Sequence, residues 1–345
     1  MKAILLIILL AHGGYWFGGA DNTITVRWAV PEAGMPAATL SWEFLYGTVR
    51  LGSGDAEVAA GEKATNVTLK LPEVRTFAAY TWKYQLKDRK TGQVLESGER
   101  SVYACPTKLL EEQARRMAGK TITVIDSRDD GLASVLKGAG MDVLRLESLG
   151  ELQLRKADMV LVGENQLPEN EVTQELLRAK AQEGARVMIF AQQHVKQSLG
   201  FRLTDRPVKN DLAWRTNHEL FDRLPSAVLN GWARESAVEL KALALPPDAT
   251  VLELGNWPRE TPGDEPGPID ALVATQTVGA GRIVWWQIPV AGWKDDPRAQ
   301  ILLGNALDYL LTRPGPTLSQ AKRTSVIRTP PKIEKDHSIF SGDKP

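Results

Sequence analysis

From Thr23 to Cys105, bulky and polar residues alternate with a period of two. Ile24, Val26 and Trp28 alternate with Thr25 and Arg27, and Leu40, Trp42, Phe44 and Tyr46 with Ser41 and Glu43. Val67, Leu69 and Leu71 alternate with Thr68 and Lys70, and Tyr80, Trp82, Tyr84 and Leu86 with Thr81, Lys83 and Gln85. Successive side chains of a strand face opposite ways, so each run predicts a half-buried antiparallel strand. Turn residues at Pro31–Pro36, Gly52–Asp55, Gly61-Glu62 and Lys90-Thr91-Gly92 separate the runs. Short strands at this spacing predict an immunoglobulin-like β-sandwich over residues 21–106. The aromatic rows read as its inner face, because the opposite face is so regularly polar; an exposed sugar-stacking platform is the alternative.

Pro106 begins a change of period. Leu109–Met117 predicts a linker helix within residues 107–118, ended by Gly119. Apolar segments then follow at Thr121–Asp126, Asp142–Leu146, Ala157–Gly163 and Ala185–Ala191, with helical spacings at Gly131–Gly140 and Glu169–Glu183. Continuously apolar strands separated by helices predict a mainly parallel sheet covered on both faces. The expected domain is a flavodoxin-like three-layer α/β/α fold over residues 119–313. Residues 195–237 read as an excursion over the strand ends, and Pro258–Pro268 as a surface loop. In Val278–Trp293 a glycine turn leads into a strand, Arg282–Gln287, stopped by Pro289. Its Trp285 and Trp286 are expected on opposite faces, and Asp295–Leu311 forms the closing helix. The polar, proline-rich residues 314–345 predict a disordered tail.

Charge and composition narrow the function classes. Lys plus Arg and Asp plus Glu each number 42, so the zero net charge argues against nucleic acid or an anionic membrane as partner. Lys2, the short apolar run Ala3–Ala11 and Gly18-Gly19-Ala20 predict a signal peptide over residues 1–20 and a secreted, periplasmic or cell-envelope protein. The alternative is an uncleaved anchor extended through Tyr15-Trp16-Phe17, which would make a membrane-anchored envelope protein. Cys105 is the single cysteine, so an intrachain disulfide is impossible. The ten tryptophans read mainly as core rather than as sugar-stacking surfaces.

No P-loop, dinucleotide fingerprint, zinc-type His-Glu pair or Gly-x-Ser-x-Gly elbow occurs, so no cofactor and no metal is expected. Ligands of open α/β sheets sit at the carboxyl ends of the strands. Those ends are Asp126-Ser127-Arg128, Glu164-Asn165-Gln166 and Gln192-Gln193-His194, together with Gln287 after the last strand. The candidate pocket is therefore Asp126, Arg128, Glu164, Gln192, His218, Gln287 and Trp293, with His218 or Glu164 as base and Trp293 as a stacking wall. Each has a structural reading as well. Asp126 fits a helix cap, and His218 fits the start of a helix capped by Asn217.

The element order, the run NHELFDRLP at Asn217–Pro225 and VGAGRIVWWQIP at Val278–Pro289 resemble class I glutamine amidotransferase-like domains. More narrowly, they resemble the versions attached to secreted glycoside hydrolases, related to the β-galactosidase trimerisation domain and ThuA-like proteins. LSWEFLYGTVRLGSG, NVTLKLP and YTWKYQLKD resemble the immunoglobulin-like segment late in glycoside hydrolase family two enzymes. Active amidotransferases of this class carry a Gly-x-Cys-x-Gly elbow after a central strand, where this chain has Gln192-Gln193-His194. They also carry a Gln-Phe-His-Pro-Glu run, where this chain has Gln287-Ile288-Pro289-Val290. Neither nucleophile nor base is present, and a thioester cannot form on glutamine. The catalytic (β/α)8 barrel of such hydrolases, about 250 residues, has no room here. The resemblance thus implies a secreted, non-catalytic accessory protein of carbohydrate processing. It would act by interaction, assembly or glycan binding, with carbohydrate, a glycoside hydrolase or copies of itself as partners. The rival expectation is a sugar-acting hydrolase or isomerase with its pocket at the strand ends.

Overall fold

A computed structural model describes residues 9–19, 21–27, 35–129, 131–206, 212–235, 240–244, 251–256, 270–290 and 292–311. The expected tail, the Pro31–Pro36 turn and the Pro258–Pro268 loop fall wholly or largely outside them.

The first strands are β1 (Leu9–Leu10), β2 (Tyr15–Phe17), β3 (Asp21–Arg27), β4 (Ala38–Tyr46), β5 (Val49–Val58), β6 (Ala64–Lys70), β7 (Ala78–Asp88) and β8 (Val94–Cys105). They form a three-stranded sheet, β1-β3-β6, and a five-stranded sheet, β2-β8-β7-β4-β5. Val26, Val67 and Leu69 of the first share one core with Leu40, Phe44, Trp82, Leu86 and Val102 of the second. The aromatic rows are inside, as their alternation predicts: Phe44, Tyr80, Trp82 and Tyr84 are buried, while Tyr46 stays exposed.

The run Gly52–Asp55, read as a turn, lies inside β5. Its glycines answer a packing need. A Cβ on Gly54 would stand 2.9 Å from the Trp42 ring of the neighbouring strand, so the site admits only glycine unless that ring moves. The chain actually reverses at Gly47, whose φ of 58° suits a residue without Cβ.

The segment expected to leave with a signal peptide is partly built into the fold. β2 pairs in parallel with β8, and the Gly18 and Gly19 amides donate to the carbonyls of Cys105 (2.9 Å) and Leu71 (3.0 Å). Trp16 is buried in the core shared by these two sheets, and Tyr15 in a separate core formed with residues beyond Cys105, such as Leu229 and Leu302. The Tyr15 hydroxyl donates to the Arg223 carbonyl at 2.9 Å. A cut near Ala20 would remove a strand that both cores use.

The second region opens with α1 (Glu111–Arg116) and continues through β9 (Ile122–Ile125), α2 (Leu132–Gly138), β10 (Val143–Leu146), β11 (Met159–Val162), α3 (Glu171–Gln182) and β12 (Arg186–Ile189). Then come β13 (Gln197–Ser198), β14 (Phe201–Arg206), β15 (Ala213–Trp214), α4 (Ser226–Glu235), β16 (Leu240–Ala244), β17 (Val251–Asn256), β18 (Asp270–Val278), β19 (Gly281–Trp286) and α5 (Pro297–Leu311). All eleven strands join one sheet, ordered β10-β9-β11-β12-β19-β18-β16-β14-β13, with β17 on β18 and β15 on β17. Strands β10 to β19 of that order are parallel, and from β18 onward the pairing is antiparallel. The sheet is therefore mixed and β-rich, where the sequence reading expected it mainly parallel. The difference arises in β13 to β18, which pair antiparallel; of these, β13, β14 and β15 fall in the stretch expected to run over the strand ends. Apolar residues divide between two cores: Trp286 joins residues of α2, α4 and α5, and Trp285 joins Leu177 and Ala181 of α3. Both tryptophans are fully buried. Burial of side chains this large contributes roughly 1.5–3 kcal/mol each.

Candidate functional site

The carboxyl ends of β9, β11, β12 and β19 bring together Asp126, Arg128, Glu164, Gln192 and Gln287. Asp126 ends β9 fully buried. One carboxylate oxygen accepts the Leu132 amide at 2.8 Å, at the start of α2; the other accepts the Arg128 amide at 3.1 Å. Two glycines make this possible. A Cβ on Gly131 would stand 2.1 Å from the Asp126 carboxylate, and one on Gly163 3.1 Å from its carboxyl carbon.

Arg128 bridges two acids, with Nε at 3.4 Å from Asp126 and Nη1 at 3.2 Å from Glu164. The other Glu164 oxygen accepts the Val290 amide. Burial pushes the Glu164 carboxyl above its ordinary value, against the lowering effects of the Val290 N–H and the Arg128 charge. Gln192 is saturated: its amide oxygen accepts the Leu167 N–H at 3.0 Å, and its Nε2 donates to the Gly163 (2.9 Å) and Phe190 (2.6 Å) carbonyls. Its own backbone N–H donates to Gln287 Oε1 at 3.1 Å. Four adjacent strand ends are thereby tied to one another.

Two of the expected residues stand apart from this cluster. Trp293 is buried edge-on against Phe190, with centroids 4.7 Å apart, so it is core and offers no stacking face. His218 lies at the other end of β19. Its ring meets Tyr309 at 4.8 Å, and the Arg282 guanidinium, at the start of β19, sits 4.0 Å over that same Tyr309 ring. His218 itself, rather than Asn217, caps the short 3-10 turn Glu219–Phe221: its Nδ1 accepts the Leu220 amide at 3.3 Å. Burial, then the charges of Arg282 and Arg215, lower its pKa below 6.5. That keeps the imidazole neutral, as an accepting Nδ1 requires.

Sequence reasoning missed two residues that shape the cluster. Arg145, on β10, donates to the Asp126 carbonyl (2.8 Å), the Ser127 carbonyl (2.7 Å) and Asp129 (2.8 Å), pinning the loop after β9. Its signal was a lone cation in the apolar run Val143–Leu146. Asn165 has a φ of 57° and accepts the Gln193 amide at 2.7 Å. Asparagine tolerates that left-handed conformation better than most residues.

Chemically, the cluster is committed. Both Asp126 oxygens and both Glu164 oxygens accept hydrogen bonds from the chain itself. Of the expected pocket residues, Arg128 Nη2, Gln287 Nε2 and Trp293 Nε1 are buried and meet no acceptor among the described residues. Cys105 lies in β8, buried, with its thiol pushed up to about 12 by burial and then by the Asp296 charge. A thiol held protonated is a poor nucleophile. Among the described residues, no group of three or more His, Cys, Asp or Glu is placed to hold a metal ion. Among them, too, no helix is long and apolar enough to cross a membrane.

No protein-family model matches the chain, and no curated protein matches it. Among solved structures, a Paenibacillus sp. cycloisomaltooligosaccharide glucanotransferase complexed with cycloisomaltoheptaose aligns with 53% of this chain and 27% of its own, at 10% identity and a TM-score of 0.23. A Parabacteroides merdae β-glucuronidase covers 53% of this chain and 33% of its own, at 8% identity and a TM-score of 0.23. A Photobacterium damsela sialyltransferase covers 54% and 37%, at 14% identity and a TM-score of 0.17. The chain thus spans only about a quarter to a third of the first two enzymes. At these scores the likeness is too slight to assign a fold or an activity.

Proposed function

We propose that this chain is a non-catalytic accessory protein of carbohydrate processing, acting by binding rather than by turnover. One observation carries the non-catalytic part: the carboxylate oxygens of Asp126 and Glu164 and the side-chain amide of Gln192 are taken by hydrogen bonds within the chain. Gln192, at the elbow position of the resembled amidotransferases, makes three side-chain hydrogen bonds to main-chain atoms and has no nucleophilic atom. The carbohydrate part is supported by the sequence resemblance to the late segments of family two glycoside hydrolases. We read the parallel strands, ordered β10-β9-β11-β12-β19, as the remnant of an amidotransferase-like, flavodoxin-type domain, and the paired sheets before them as immunoglobulin-like. The apolar run Ala3–Ala11 supports export, with any processing upstream of Tyr15 so that β2 is kept.

A sugar-acting hydrolase is the second reading, favoured by one feature: Glu164 has its carboxyl raised by burial, as a general acid needs. A glycan array probed with the purified full chain tests the first reading. Binding to a carbohydrate class is the expected result. An array with no signal above background removes the carbohydrate role.

A further inference from the structure

The outer face of the five-stranded sheet holds a trough that the strand-end site leaves unused. Because Leu40, Phe44, Trp82 and Leu86 turn inward, the alternate residues Ser41 and Glu43 of β4 and Lys83 and Gln85 of β7 turn outward. Register aligns them into two cross-strand rows. Asp55, Ser41 and Gln85 lie opposite one another, as do Ser53, Glu43 and Lys83. These residues and Arg50 line a cavity of about 420 Å³, with Trp42, Gly54 and Tyr84 completing the lining. That lies inside the roughly 300–1,000 Å³ span of small-ligand sites.

The floor is stiffly built. Trp42 and Tyr84, opposite each other in register, turn to the inner face, where Trp82 stacks on Tyr84 with centroids 5.0 Å apart. Gly54 and Gly98 leave room for these rings, since a Cβ would come within 2.9 Å of Trp42 and 2.8 Å of the Tyr84 hydroxyl. The short side chains of Ser41 and Ser53 keep the centre low. The longer Glu43, Arg50, Lys83 and Gln85 rise around it, with Arg50 held to Glu43 at 3.3 Å.

The charge pattern selects the ligand. Two acids, Glu43 and Asp55, stand among two cations, Arg50 and Lys83, with two hydroxyls and one amide between. A phosphate would meet the carboxylates and a metal ion the cations, while an apolar molecule would find a polar lining. Sugar hydroxyls each donate and accept, which this mixture satisfies at every position. We propose that the trough binds a short segment of neutral oligosaccharide. This rests on the carbohydrate-associated reading above and names its surface. With no exposed aromatic ring in the trough, recognition runs through hydrogen bonds and is insensitive to salt.

The test is affinity electrophoresis and titration calorimetry of the full chain with neutral gluco-, galacto-, manno- and xylo-oligosaccharides and with their sulfated and phosphorylated counterparts. The double variant Asp55→Ala/Gln85→Ala is measured beside the wild type, with thermal melts as a folding control. Wild-type binding that weakens at least tenfold in the variant, unchanged between low and high salt, is the expected result. Equal binding by both proteins overturns the trough and leaves the carbohydrate reading standing. Preference for sulfated or phosphorylated sugars overturns the neutral-ligand assignment. Binding to no carbohydrate at all, neutral or charged, removes both proposals.

Discussion

The strand ends of the parallel strands and the outer face of the five-stranded sheet carry nearly the same side chains. One holds Asp126, Glu164, Arg128, Gln192 and Gln287; the other Asp55, Glu43, Arg50, Gln85 and Lys83. In the first set Asp126, Gln192 and Gln287 are buried and Glu164 and Arg128 partly so, and its oxygens are taken by backbone amides and an arginine. The second stands in solvent, where Arg50 pairs with Glu43. Burial forces polar groups to find partners inside the chain, because an unmet buried group costs about 1–3 kcal/mol. Identical chemistry therefore becomes scaffold in one place and stays available for a ligand in the other. Position at a strand end raises the prior for a site; commitment of the atoms decides it.

The comparison can be broken by substitution, starting at the buried side. Asp126→Ala removes the acceptor at the start of α2 and one of the two acids that Arg128 bridges, so urea unfolding should report a loss of about 3 kcal/mol. Gln192→Ala strands the Leu167 N–H and the Gly163 carbonyl, and the expected loss is about 2 kcal/mol. His218 gives a pH signature. Its folded value is lowered below 6.5, so the folded state binds fewer protons than the unfolded one. Its contribution is fully present above 6.5 and is lost as pH falls through 6.5 toward the lowered folded value. His218→Asn keeps a capping oxygen and should flatten that part of the stability profile; an unchanged slope would count against the buried neutral imidazole. The smallest effect belongs to the trough. Asp55→Ala/Gln85→Ala should change stability by no more than about 0.5 kcal/mol, as exposed substitutions do. A larger loss would show that those residues hold the sheet together.

Much of the architecture was legible where one physical signal dominated. The apolar runs at Ile122–Ile125, Met159–Val162 and Arg186–Ile189 had no reading but a buried strand, and each forms one. Trp285 and Trp286 went to opposite cores as period two demands. Misreadings came where a residue served a distant partner. Gly52 and Gly54 looked like a turn because their reason for being glycine is the Trp42 ring on another strand. Tyr15-Trp16-Phe17 looked like part of a signal peptide over residues 1–20, or of an uncleaved anchor, because hydropathy carries no trace of the pairing with β8. Of the expected pocket, the four strand ends were visible from the βα alternation. His218 was misplaced because its segment doubles back to the opposite end of β19.

The most direct measurement is turnover. Purified full-length protein and Glu164→Gln are assayed side by side against aryl glycosides, oligosaccharides and glutamine, from pH 4 to 8, the span in which carboxylates and histidine titrate. The account predicts that neither protein releases product above the buffer rate, because both Glu164 oxygens are held by Arg128 and the Val290 amide and both oxygens of the neighbouring Asp126 are taken by backbone amides. A wild-type rate that Glu164→Gln abolishes while its melting temperature is unchanged would contradict it.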